Sequence, residues 1–270
     1  MSLPSVCIVI PCYNEENRLD LGYIGDFLKK FESISILLAN DGSSDNTENV
    51  ITNFINLESS QSISERLHYL HFFKNQGKAE TVRCGMLFAA NKSLNRPNTE
   101  FYFSGNKPDT CDYIGFLDAD MATPLEEIPW FFGFKRNEHQ ILLGSRLAIL
   151  GSNINRTRFR FLTGRIFATI ISFGLSWKVY DTQCGAKIFH RDYLEVFNKP
   201  FYTKWLFDVE ILLRLKQQYG EEIVEKVVEI PVRNWSDIDG SKIKFTDFLK
   251  VPFQILGLFR HYRKSRTKVQ

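Results

Sequence analysis

What most constrains this chain is how its short apolar runs end. Val6–Ile10, Ile34–Ala39 and Tyr113–Leu117 have strand length and are rich in β-branched and aromatic residues. They lead into Pro11-Cys12-Tyr13-Asn14-Glu15-Glu16, Asn40-Asp41-Gly42-Ser43-Ser44-Asp45 and Asp118-Ala119-Asp120, respectively. Leu67–Phe72 and Ile141–Leu143 are further strand candidates, and helical patterns lie near Ile24–Phe31, Asp45–Leu57, Lys78–Asn91 and Pro124–Phe134. In the second helix Val50, Ile51, Phe54 and Ile55 share one face, and Asp45 is placed to cap the start. This alternation predicts an α/β layer, a mostly parallel central sheet flanked by helices. Ligands in such sheets sit outside the carboxyl ends of the strands, so these acids and amides converge on one edge.

Asn95–Asp112 breaks the pattern with Pro97, Gly105 and Pro108 and reads as a surface loop insertion. After Gly151 a basic segment leads into a Phe/Ile-rich helix. A strand at Ala186–Phe189, a helix near Phe207–Gln217, an edge-like strand at Val227–Val232 and an amphipathic stretch, Phe245–Tyr262, follow. The longest apolar run, Ile166–Trp177, has twelve residues, against the ~20 that a spanning helix needs. No basic leader with a long apolar core opens the sequence, so no signal peptide is expected. The cysteines, Cys7, Cys12, Cys84, Cys111 and Cys184, are odd in number and lack a CxxC pair, which fits a reducing compartment better than a disulfide frame or zinc site. With 34 Lys+Arg against 31 Asp+Glu, and no reader motif among the basic residues, a nucleic-acid partner is not expected.

Two acids at i and i+2 after an apolar strand can hold a hard divalent cation such as Mg²⁺, with substrate phosphates completing its shell; taken alone, Asp-Ala-Asp reads equally as a solvated turn. It is not alone. VIPCYNEENRL (Val9–Leu19), NDGSSDNT (Asn40–Thr47), the stretch Gly77–Gly85, DADMATP (Asp118–Pro124), GSR (Gly144–Arg146), DTQCGAKIF (Asp181–Phe189), FDVEIL (Phe207–Leu212) and GSK (Gly240–Lys242) occur in order. Together they resemble glycosyltransferase family 2 enzymes of GT-A (nucleotide-diphospho-sugar transferase) fold, most of all dolichyl-phosphate β-glucosyltransferases and related polyprenyl-phosphate glycosyltransferases.

The resemblance implies a catalytic domain over residues 1–245 and a basic amphipathic helix and tail over 246–270. Pro11, Tyr13 and Glu15 would line the nucleotide base and ribose pocket, Asp41 would take the base edge or ribose, and Lys78 would lie near the diphosphate. Asp118 and Asp120 would be the metal-binding pair for Mg²⁺ or Mn²⁺, with Asp120 the main contact. Asp208 would bind sugar hydroxyls or assist electrostatically, and Lys242 would close over the diphosphate. Arg146 and Arg160, with Arg156 in reserve, would bind the acceptor phosphate, as arginine forks suit phosphate. The implied reaction is inverting transfer of a hexose, UDP-glucose being the expected donor, to dolichyl or polyprenyl phosphate. Such an acceptor has a second pKa of ~6 and is already mostly dianionic, so it needs no strong general base.

Asp181-Thr182-Gln183 reads as a sugar or site-wall element, and Cys184 as a buried small hydrophobe. Phe159–Trp177 and Phe245–Tyr262, both flanked by basic residues, suit the interface of a membrane. A peripheral position on the cytosolic face is the expectation. A helix packed on the domain, a homodimer contact and a membrane-protein partner are the other readings of the C-terminal stretch. A hydroxyl acceptor on a glycan or protein, and a non-catalytic nucleotide-sugar-binding module, are the competing functions.

Overall fold

The computed structural model describes residues 3–57, 61–94, 100–104, 108–236 and 245–266. The elements run β1 (Val6–Cys12), α1 (Leu21–Lys30), β2 (Ile34–Asn40), α2 (Thr47–Leu57), α3 (Gln61–Ser64), β3 (Leu67–Phe72), α4 (Lys78–Ala89), β4 (Phe101–Ser104), β5 (Tyr113–Phe116) and α5 (Glu127–Phe134). Then come β6 (Ile141–Ser145), β7 (Asn153–Asn155), α6 (Arg158–Leu175), β8 (Lys187–His190), α7 (Phe207–Tyr219), β9 (Val227–Pro231), β10 (Asn234–Ser236) and α8 (Phe245–Arg266).

Eight strands form one sheet in the order β4-β3-β2-β1-β5-β8-β6-β9. β3, β2, β1 and β5 are parallel, as are β6 and β9. β1 lies between β2 and β5, so the chain leaves it in one direction and returns on the other. The crevice at such a switch point is where an α/β sheet binds its ligand.

The central strands read as unbroken apolar runs because both faces are covered. Cys7 and Val9 join the core under α4 and α7, while Ile8 and Ile10 join the opposite core under α1 and Ile51 of α2. This is the two-residue period of a strand.

Three features refine the sequence expectation. The sheet is mostly parallel, as expected, but β8 runs antiparallel between β5 and β6. The Asn95–Asp112 segment is not all loop: β4 pairs antiparallel with the edge of β3. Phe101 and Phe103 pack on Phe88 of α4, while Tyr102 meets Tyr69 and His71; the flanking Pro and Gly obscured a four-residue alternation. Finally, β7 and β10 form a small parallel ribbon too short to register as strands in sequence.

α8, Phe245–Arg266, packs on the domain. Its Ile255 and Leu258 are buried in the same core as Ile171 and Leu175 of α6. Leu162, Ile166 and Phe173 of α6 and Phe253 and Leu256 of α8 remain exposed. Among the described residues no helix is long and apolar enough to cross a membrane.

Candidate active site

Two of the motifs interlock at the carboxyl ends of β1 and β2. The backbone N–H groups of Asn14, Glu15 and Glu16 donate to Ser43 Oγ, Thr47 Oγ1 and Asp45 Oδ2, and Asn46 N–H donates back to Glu16 Oε2. Asn14 takes a left-handed φ of 56° and accepts the Ser44 N–H through Oδ1, a conformation asparagine tolerates better than most residues. Asp45 caps α2 as expected, accepting the Thr47 N–H. Tyr13 is partly exposed beside this lattice and Pro11 half-buried. Glu15 is buried and ion-paired to Arg18 at 2.9 Å.

Asp41 is buried, and its two oxygens accept the N–H groups of Gln76 and Gly77 at 2.6 and 2.9 Å. Burial pushes its pKa upward, against those hydrogen bonds. Asp41 thus fixes the turn that launches α4, whose first residue is Lys78. Gly42 is required there: at φ +63° its added Cβ would fall 2.7 Å from the Lys74–Asn75 backbone.

Lys78 Nζ lies 2.6 Å from Asp118 Oδ1. Burial alone would lower the Lys78 pKa, but Asp118 foremost, then Asp208 and Asp120, raise it. Acids from two regions of the chain therefore act on one ammonium, with Asp118 in direct contact. Asp120 Oδ1 accepts the Ala122 N–H at 3.0 Å; burial, then the Asp118 charge, raises its pKa against that bond. Met121, next in the turn, sits at φ 51°, a strained value of the kind that collects at functional sites. Asp118 rests directly on Gly185, where a Cβ would come within 2.3 Å of its Cγ. Since β8 runs opposite to β5, its start meets the end of β5, with Phe116 opposite Lys187.

Asp208 lies in the first turn of α7 but does not cap it; its Oδ1 accepts from Lys187 Nζ at 2.6 Å. Glu210 is a structural acid, accepting the N–H groups of Tyr202 and Thr203 and pairing with Arg214.

Arg146 follows β6 at the same rim. Its Nε and Nη2 donate to Asp181 Oδ2 and Oδ1 at 2.6 and 2.8 Å, and its guanidinium lies 5.3 Å from the Trp235 ring centre. Burial opposes the charge on Asp181, but Arg146 outweighs it and holds the carboxyl well below the usual range. Arg156 adds to that effect and packs against Gly164 of α6. Arg165 stacks on Tyr180 at 3.7 Å and donates to its carbonyl. The structure thus gathers Arg146, Arg156 and Arg165 around residues 180–181. Arg160 lies in the first turn of α6, with its side chain outside the described residues, as is the whole of Lys242.

Asp118 and Asp120 offer only oxygen donors, which suit Mg²⁺ or Mn²⁺. Among the described residues no three His, Cys, Asp or Glu side chains gather to cage a metal, so the pair fits an ion whose shell is completed by phosphate oxygens. Cys184 is buried, its thiol pushed up to about 11 by burial.

Two site residues escaped the sequence reading. Lys187 was hidden inside a strand run, although a lysine within such a run is itself a signal of a buried partner. Glu229 of β9 accepts the N–H groups of Tyr180 and Asp181 and so shapes the arginine side of the rim.

The family model for glycosyl transferase family 2 matches residues 7–197. The chain belongs to that family. It is therefore a glycosyltransferase. It is 28% identical to the dolichyl-phosphate beta-glucosyltransferase of Homo sapiens, over 97% of this chain and 77% of that protein. Among solved structures it is similar to mannosyl-3-phosphoglycerate synthase from Rubrobacter xylanophilus, with TM-score 0.62, 13% identity and coverage of 99% of this chain and 76% of that one. It is also similar to glucosyl-3-phosphoglycerate synthase from Mycobacterium tuberculosis in complex with Mn²⁺, UDP and glucosyl-3-phosphoglycerate, with TM-score 0.57, 14% identity and coverage of 96% and 80%. These likenesses establish the GT-A fold.

Proposed function

We propose that this family 2 enzyme transfers glucose from UDP-glucose to dolichyl or another polyprenyl phosphate with inversion, giving a β-linked lipid-phosphate sugar. One observation carries the reading: a single rim holds two charged halves, acids around Lys78 and arginines around Asp181. The first half suits a metal-bound diphosphate and the second an anionic acceptor. The human relative's name supports glucosyl transfer to dolichyl phosphate.

Pro11, Tyr13, Glu15 and Asp41 hold the nucleoside on the interlocked loops, with Asp41 also fixing the turn before Lys78. Lys78 leaves Asp118 for the donor's diphosphate, which Lys242 also binds. Asp118 and Asp120 would hold Mg²⁺ or Mn²⁺, which would offset charge on the departing diphosphate. Asp208 contacts the sugar hydroxyls. Arg146 and Arg160, helped by Arg156, seat the acceptor phosphate, whose oxygen attacks the anomeric carbon from the face opposite the diphosphate. That oxygen carries no proton to remove, so no side chain acts as a strong base.

The lipid arrives along a surface that suits a bilayer interface. Leu162, Ile166 and Phe173 lie at i, i+4 and i+11 on one face of α6, beside exposed Phe253, Leu256, Arg260 and Arg263 of α8. Apolar burial with basic residues nearby favours peripheral binding to anionic membrane, and five free cysteines fit its cytosolic side.

The test incubates the protein with Mg²⁺ or Mn²⁺, polyprenyl phosphate and, in turn, labelled UDP-glucose and other nucleotide sugars. Label in the lipid phase from UDP-glucose is expected; none from any donor overturns the reading. Arg160→Ala is expected to lose activity that high lipid phosphate partly restores, whereas indifference favours a hydroxyl acceptor.

A further inference from the structure

Lys187 opens β8 and is wholly buried. An ammonium removed from water is tolerated only when fully paired. Here Nζ donates to Asp208 Oδ1 and to the Cys184 carbonyl, each at 2.6 Å, and sits 5.5 Å from the centre of the Phe116 ring. The anchoring of α7 does not need this charge, because Phe207, Val209, Ile211 and Leu212 are already buried in the core. The rim does have a use for it. Asp118 pairs with the Lys78 ammonium, and the charges of Asp208 and Asp120 act on it as well. Lys187 pairs with Asp208 in turn, so the charges alternate: Lys187, Asp208, Lys78, Asp118. Its second bond fixes the Cys184 carbonyl, immediately before the Gly185 that seats Asp118.

We propose that Lys187 is a positioning residue for the transfer reaction: it fixes the Asp208 carboxylate through Oδ1 and leaves Oδ2 to the donor sugar. The inference rests on the proposed reading that Asp208 contacts that sugar. Lys187 touches no substrate itself and acts only through Asp208 and the Cys184–Gly185 segment. A misplacement of about 1 Å at such a carboxylate is enough for ~10²-fold in rate.

The test measures kcat and the UDP-glucose KM for Lys187→Gln, Lys187→Met, Asp208→Asn and the Lys187→Met/Asp208→Asn double variant, with Mn²⁺–UDP binding measured alongside. Glutamine keeps a hydrogen-bond donor toward Asp208, so it remains informative if the methionine variant fails to fold. The expected result is a fall of roughly 10²-fold in kcat for both Lys187 variants and for Asp208→Asn. KM and Mn²⁺–UDP affinity stay near wild type, and the double variant is no slower than Asp208→Asn. A purely structural lysine would lower stability and leave kcat of the folded glutamine variant unchanged, which overturns the proposal. Losses that multiply in the double variant overturn it too. Wild type that transfers no sugar from any donor sinks instead the underlying reading.

Discussion

Replacing Asp181 by Asn isolates the buried ion pair on the arginine side of the rim. Arg146 and Asp181 meet through two side-chain hydrogen bonds of 2.6 and 2.8 Å, and their side chains are only 14% and 9% exposed. Asp181 also accepts the backbone N–H groups of Arg146 and Gln183. Asparagine retains one acceptor oxygen but turns an amino group toward a guanidinium, leaving Arg146 buried without its counter-charge. Breaking one side of a buried pair costs about 3–5 kcal/mol, and the second nearby cation, Arg156, adds to the imbalance. At roughly 2–4 °C per kcal/mol for a chain near this size, Tm should fall by about 6–20 °C at pH 7. The pH dependence gives an internal control. Arg146 depresses the Asp181 pKa in the folded protein, so the pair's contribution is intact above the unfolded value of ~3.9. It is lost as pH falls below that toward the folded value. The gap between wild type and variant should hold constant from pH 7 to about 5 and narrow below pH ~4. Chemical denaturation across that range measures it, and Arg146→Met/Asp181→Asn should recover part of the loss because the buried guanidinium is gone, leaving only Arg156 nearby. A single variant within ~1 kcal/mol of wild type at pH 7 would refute the reasoning, since that is the worth of an exposed pair.

Lys78→Met should let Mn²⁺ alone bind more tightly, because the ammonium no longer occupies Asp118, while weakening UDP. The wild-type coupling between the two ligands, about 5–150-fold for a typical linked pair, should collapse in titrations run in both orders; unchanged coupling would refute the exchange. Because burial and the Asp118 charge raise the Asp120 pKa, the carboxylate stays protonated to higher pH than usual. The acid limb of kcat/KM, which reports the free enzyme, should therefore lie above the ordinary ~3.9; a limb at or below that value would count against Asp120 as a metal ligand. Ile166→Ser/Phe173→Ser/Phe253→Ser should keep the fold, as all three are exposed. It should lose sedimentation with vesicles containing anionic lipid, and retention of binding would remove α6 and α8 as the membrane face.

The acidic side of the rim was legible in sequence because its residues follow strands directly. Asn40–Asp41 and Asp118–Asp120 are placed by one periodicity, the alternation of apolar runs with helices, which also revealed β1, β2, β3 and β5. The arginine side was less legible because its geometry is long-range. Arg146 and Asp181 are 35 positions apart, and only the ladder that sets β6 beside β8 explains how they meet. Asp41 shows the same limit. Its place at a strand end was visible, whereas its hold on the Gln76 and Gly77 N–H groups depends on where β3 ends relative to β2. β7 and β10, three residues each, were invisible because so short a run carries no period; Trp235 reaches Arg146 only through their pairing.

The reversed direction of β8 brings these halves together. A strand parallel to β5 would send its amino end away from the rim, and Lys187 with it. Running antiparallel, β8 starts where β5 stops, so Gly185 seats Asp118, and Asp181 lies only a few residues before it in the same approach to the rim. One short segment, 181–187, therefore carries the counter-ion of Arg146, the floor under Asp118 and the lysine paired with Asp208. On the proposed reading two anionic substrates meet in this cleft, and the segment distributes opposite charges to each side of it. A change in Gly185 should thus be felt on both sides at once: an added Cβ at 2.3 Å from Asp118 Cγ must shift either that carboxylate or the segment that also holds Asp181.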